Sequence, residues 1–147
     1  MRVFLDTNVL ASAAATRGLC ADVLREVLAS HQLLTSAQVL SELRRVLRIK
    51  FDLDRDLIDD FIWLMRQDTV LARPGQLPSV EIQDQDDLPI LSSAISAGAD
   101  VFVTGDKEIL DVGRIEQVAI LSPRQFWEKL KAQPQRTAGR GKPRRSS

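Results

Sequence analysis

The chain of 147 residues has one cysteine, one histidine, no tyrosine and few aromatics, and no apolar run near the roughly 18 residues that a spanning helix needs. Each shortage excludes something. Cys20 has no partner for an internal disulfide, and its apolar helical surroundings predict a reduced core residue, not a nucleophile. His31 falls near the end of a predicted helix, away in the pattern from every acid discussed below, so it is expected at the surface and not as a general base. A cysteine and histidine set for zinc is therefore missing. The first fifteen residues mix Arg2 with apolar and small residues in the manner of a secretory signal, but Asp6 interrupts an already short stretch. No signal peptide is expected, and a cytoplasmic protein without membrane contact follows. What is present is a hydrophobic share of 44%, enough for one globular core.

The net charge of zero conceals a division. Residues 1–130 carry 14 Lys and Arg against 20 Asp and Glu, a balance of −6. Residues 131–147 carry Lys131, Arg136, Arg140, Lys142, Arg144 and Arg145 and no acid, a balance of +6. We therefore expect one domain over 1–130 and a basic tail over 131–147. The tail's Pro, Gly and Ser content without apolar periodicity predicts disorder, and its charge suits either loose contact with a nucleic-acid backbone or simple solubilisation.

Periodicity predicts alternating strands and helices, the pattern of a parallel sheet covered on both faces. Strands are expected at 2–6, 33–35, 69–72, 101–104 and 116–121. Helices are expected at 8–14, 19–30, from a Ser36 cap to about 48, at 54–67, about 86–97, and from Ser122-Pro123-Arg124-Gln125 through Leu130. Pro89 is tolerable in a first turn, Gly98 suits a helix end, and 73–85 reads as a loop.

Four carboxylates interrupt this pattern. Asp6 closes the apolar strand Val3-Phe4-Leu5, and Asp106 follows Val101-Phe102-Val103 after Thr104 and Gly105. Glu42 shares an i, i+3, i+4, i+7 stripe with Val39, Leu43 and Val46, and Asp87 shares one with Ile90, Leu91, Ala94 and Ile95. In a parallel sheet ligands bind at the carboxyl ends of strands, where Asp6 and Asp106 emerge, so all four can converge. Clustered carboxylates repel and resist burial, and they stay ionised only beside strong positive charge. An oxygen-only donor set favours Mg²⁺ or Mn²⁺, an ion that can polarise a phosphodiester and activate water. Each acid also has a structural use. Asp6, Asp86 or Asp87 can cap a helix and Asp106 can serve a turn, whereas mid-helix Glu42 has no orphan amide to bind. Asp52, Asp54, Asp56, Asp59 and Asp60 read as a solvated face, with Asp84 and Asp111 as rim acids.

Asp6-Thr7-Asn8-Val9, mid-helix Glu42, Asp84-Gln85-Asp86-Asp87 with Ile90, Leu91 and Ala94, and Ala99-Asp100-Val101-Phe102-Val103-Thr104-Gly105-Asp106-Lys107 together resemble the PIN-domain ribonucleases. The resemblance covers 1 to about 127 and is strongest to toxins of bacterial toxin-antitoxin systems related to VapC. It implies a three-layer α/β/α sandwich with a mainly parallel sheet and a Mg²⁺- or Mn²⁺-dependent pocket that hydrolyses single-stranded RNA. It further implies Asp6, Glu42, Asp87 and Asp106 as metal-binding and catalytic acids, Asn8 and Thr104 as supporting residues, a cognate antitoxin and a homodimer. Gln85 and Leu88-Pro89 depart from the usual family pattern without removing an acid.

Alternatives remain at this point. A haloacid-dehalogenase-type phosphatase needs a second Asp where Asn8 stands, and a receiver domain needs an Asp closing the third strand, which residues 69–72 lack. A non-catalytic interaction module of the same fold, or an RNA-processing nuclease without a toxin role, keeps every motif.

Overall fold

A computed structural model describes residues 1–132. A six-stranded sheet has the order β3-β2-β1-β4-β6-β5, built from β1 (Arg2–Leu5), β2 (Gln32–Ser36), β3 (Val70–Ala72), β4 (Val101–Val103), β5 (Arg114–Ile115) and β6 (Val118–Leu121). All pairings are parallel except β5 with β6. The connecting helices are α1 (Thr7–Ala15), α2 (Leu19–Ser30), α3 (Ala37–Ile49), α4 (Arg55–Asp68), α5 (Asp87–Ser96), α6 (Lys107–Val112) and α7 (Pro123–Ala132). The expected α/β class holds, with a mainly parallel sheet flanked by helices.

The central strands are apolar on both faces because helices cover both. Val3, Phe4, Leu5, Val101, Phe102 and Val103 are all buried, and the neighbouring rings of Phe4 and Phe102 stack with centroids 5.4 Å apart. Local chemistry fixes the element ends. Ser36 Oγ accepts from Val39 N–H at 3.2 Å to start α3. Ser122 and Gln125 bond reciprocally before α7, with Pro123 as its first residue. At the end of α5, Gly98 adopts φ 74°, while its N–H and that of Ala99 bond back to Ile95 and Ala94.

Chain order places the site. After β1 the chain steps outward to β2 and β3, then returns to lay β4 on the other side of β1. The reversal falls between β1 and β4, and a crevice opens at their carboxyl ends. Two elements go beyond the sequence expectation. The short helix α6 and strand β5 precede the expected last strand, which begins at Val118 instead of 116. The boundary expected at 130 falls inside the last turn of α7, where Lys131 Nζ lies 4.4 Å from the Trp127 ring centroid. The expectation of disorder, from 133 onward, lies outside the described residues.

Candidate active site

Asp6 and Asp106 stand on either side of the β1/β4 crevice, one as the N-cap of α1 and the other as the N-cap of α6. The register Leu5↔Val103 brings Asp6 level with Thr104. Thr104 Oγ1 donates to Asp6 Oδ2 at 2.7 Å and accepts from Asp106 N–H at 3.0 Å, so one buried hydroxyl joins the two. Asp6 Oδ1 accepts from Thr7 N–H at 2.8 Å. Asp106 Oδ1 accepts from the N–H groups of Glu108 and Ile109. The capping alternative for Asp6 is therefore realised as well, whereas Asp106, expected otherwise as a turn residue, caps α6, and Asp86 makes no side-chain capping bond at α5. A carboxylate has about four acceptor positions, and capping leaves lone pairs free at each.

Glu42 reaches the crevice from α3. Thr7 Oγ1 donates to its Oε1 at 3.0 Å, and Gln38 Nε2 donates to its Oε2 at 3.0 Å and to Asp86 O at 2.8 Å. Gln38 thereby ties α3 to the start of α5. Asp87, the first residue of α5, makes no side-chain hydrogen bond among the described residues. Only Asp6 is buried; Glu42 and Asp87 are half-buried and Asp106 is exposed, so the inward-facing placement expected from the stripes is partial. Both helical acids sit at the edge of their apolar stripe, where the helix meets the crevice.

Electrostatics bind the four together. Burial is the largest influence on Asp6 and raises its carboxyl above the ordinary range against hydrogen bonds from Thr104 and Thr7, with the charges of Glu42 and Asp106 adding to the rise. Asp87 is pushed up to about 7, first by burial and then by the charges of Asp6, Asp84, Asp106 and Glu42. Asp84 thus belongs to the field of the site although its side chain is exposed. The other rim acid, Asp111, faces Lys107 at 3.4 Å.

Among the described residues no three His, Cys, Asp or Glu side chains close on one point as the ligands of an ion would. The chemistry of the set nevertheless fits a hard divalent cation. Every donor is a carboxylate oxygen, their mutual repulsion is unrelieved, and Asp87 has both oxygens free of hydrogen bonds. Asn8 is exposed in the first turn of α1 and makes no side-chain hydrogen bond to the acids. Thr7 and Gln38 were not singled out from the sequence. Gln38 had a legible signal, since it lies one turn before Glu42 on the same helix face; Thr7 had none. His31 sits at the opposite end of the sheet, its Nδ1 3.1 Å from the Met1 amine.

No curated protein matches the sequence significantly. The fold is similar to that of a chain in the crystal structure of VapBC2 from Rickettsia felis bound to a promoter DNA fragment, with a TM-score of 0.57 and 16% identity over 83% of this chain and 98% of that one. It is also similar to a chain of VapBC-1 from nontypeable Haemophilus influenzae, with a TM-score of 0.58 and 19% identity over 84% of this chain and 99% of that one. At such identities the likeness speaks for the fold. Residues 2–108, a stretch that holds all four acids, match the PIN domain family. The chain belongs to the PIN-domain family.

Proposed function

We propose that the protein is a VapC-type nuclease that hydrolyses phosphodiester bonds of single-stranded RNA, with Mg²⁺ or Mn²⁺ held by Asp6, Glu42, Asp87 and Asp106. The carrying observation is the grouping of these acids beside the β1/β4 crevice, where burial first and then the charges of its neighbours push Asp87 up to about 7. A divalent cation bound there would supply Lewis-acid stabilisation of the phosphoryl oxygen and activation of water. The chain's own groups do the rest. Thr104 holds Asp6 in one rotamer and positions the Asp106 backbone. Thr7 and Gln38 orient Glu42. Asp87 exchanges a proton near neutrality in the free protein, and a cation beside it would favour its ionised form.

The fold's likeness to chains of VapBC complexes supports a cognate antitoxin as partner. Such a partner would occlude the pocket by presenting a basic side chain, most simply Arg, to the carboxylates. Homodimer formation belongs to the same reading, and sedimentation measures it directly. The described residues include no helix long and apolar enough to cross a membrane.

Incubation with single-stranded RNA in Mg²⁺ or Mn²⁺, with and without EDTA, tests the proposal. Cleavage that requires metal and disappears in Asp87→Asn supports it; full cleavage in chelator, or restoration by zinc alone, overturns it. One observation favours a second reading. Because Asp6 and Asp106 cap helices, a non-catalytic interaction module would also retain both acids. Metal-dependent cleavage by the parent and none by the Asn variants decides against it.

A further inference from the structure

Outside the acidic crevice, a cleft of about 460 Å³ between α3 and the start of α4 is lined by Ser41, Arg44, Arg45, Arg48, Arg55 and Ile58, with no carboxylate in its wall. We propose that this cleft binds backbone phosphates of the RNA strand whose scissile bond lies at the acids, an inference that rests on the nuclease reading above.

The placement of charge carries it. Residues 1–130 have a balance of −6, yet four of their 14 cations line this one cleft. Among the described residues Arg44 alone of the four has an ion-pair partner, Asp59. Arg48, in the last turn of α3, complements that helix's dipole, but Arg55 opens α4, where a positive charge opposes the dipole. Crowded guanidinium groups repel, so in the free protein the cluster works against the fold, and an anion would relieve it. Asp54 makes no side-chain capping bond to the first turn of α4, and Arg55 and Ile58 from that turn line the cleft. Arginine and serine around an open cleft match a phosphodiester, which accepts two forked hydrogen bonds from one guanidinium.

The cleft also shares helix α3 with one of the crevice acids. Arg45 lies one turn beyond Glu42 on α3, where side chains three apart are neighbours, about 5–6 Å between Cβ atoms. A strand passing over Glu42 toward the carboxyl end of α3 meets Arg45, then Arg48, then Arg55 across the turn. Acidic pocket and basic cleft then divide the work: one takes the scissile phosphate with its cation, the other holds the phosphates next to it.

The test measures binding, not cleavage. Fluorescence anisotropy of a labelled single-stranded RNA is followed in EDTA at several salt concentrations for the parent, for Arg45→Gln/Arg48→Gln/Arg55→Gln, and for a control with Arg25→Gln/Arg66→Gln/Arg114→Gln. Single strands lose about 0.7 of a logarithmic unit of salt slope for each phosphate contact. The cleft variant should therefore bind more weakly, with a slope smaller by about 2, while the control keeps the parent slope more closely. Equal slopes for cleft variant and control overturn the proposal, as does a variant that keeps RNA affinity but loses a polyglutamate peptide, which would assign the cleft to an acidic protein segment. Thermal melts that match the parent's exclude misfolding; if the triple variant melts early, Arg45→Gln alone, exposed on α3, carries the test with a slope change of about 0.7. The two readings fail separately. RNA held by the arginines but never cut by the parent sinks the nuclease and spares the cleft; cutting with no slope change does the reverse.

Discussion

Asp87 has an ordinary pKa of 3.8 and is pushed up to about 7 in the folded chain. The folded state therefore holds this proton more tightly than the unfolded chain does, and the stability so contributed is complete below about 4 and lost as pH rises to about 7. In EDTA, the parent should lose thermal stability across that window. Asp87→Asn, neutral throughout, should melt with the parent near pH 4 and above it at pH 8, while losing cleavage. Parallel melting curves for the two proteins across the window would rule out a strained Asp87 carboxylate, whether from burial or from its acidic neighbours. Asp106 offers a second test at this scale, since its carboxylate serves both the cluster and the amides of α6. Asp106→Ala should cost about 1 kcal/mol of stability by losing the cap, whereas Asp106→Asn, an equally good cap, should cost cleavage alone. Chemical denaturation of both variants measures the difference.

Among the elements, α6 depends on Asp106 at one end and Gly113 at the other, where the backbone has φ 79° and an added Cβ would meet nothing within 4 Å. Gly113→Ala should then destabilise through backbone strain alone, by about 1–2 kcal/mol, without altering cleavage. An unchanged denaturation midpoint would show that the turn relaxes freely. The same short element marks the limit of sequence reading. Strands such as β1 and β4 announce themselves through unbroken apolar runs, and α3 through its stripe and Ser36 cap. The six residues of α6 are too few to show a period, and two-residue β5 exists only by pairing with β6 through a turn that places Glu116 at φ 51°. Site legibility divides along the same line. The acids stand out because a charge interrupts an apolar pattern, and Thr104 because it belongs to a motif. Thr7 is an ordinary residue at a helix start, and nothing local says that its hydroxyl meets Glu42 across 35 positions. The arginine cleft is likewise tertiary, since Arg55 joins Arg45 and Arg48 only after the chain turns between α3 and α4.

For the whole molecule, the acidic surface of the domain opposes the approach of RNA, so binding should lean on cations outside the crevice. Removing residues 133–147 deletes Arg136, Arg140, Lys142, Arg144 and Arg145. We predict weaker RNA binding and a flatter salt dependence, with the melting temperature of the domain unchanged. Titration at several salt concentrations checks this, and identical slopes for the two lengths would make the tail irrelevant to RNA. An antitoxin that occludes the carboxylates should compete with Mn²⁺. A partner that binds the parent and the Asp6→Asn and Asp87→Asn variants equally, with no effect of metal, would place its contact elsewhere.

Two of the four acids also hold the first turns of helices, and this shapes how the gene can fail. Asparagine caps a helix about as well as aspartate, and the two codons differ by one base. A mutation to Asn at position 6 or 106 therefore removes a charge from the crevice while leaving α1 and α6 their caps. Were the proposed activity under selection for escape, such alleles would persist as abundant, folded and inert copies.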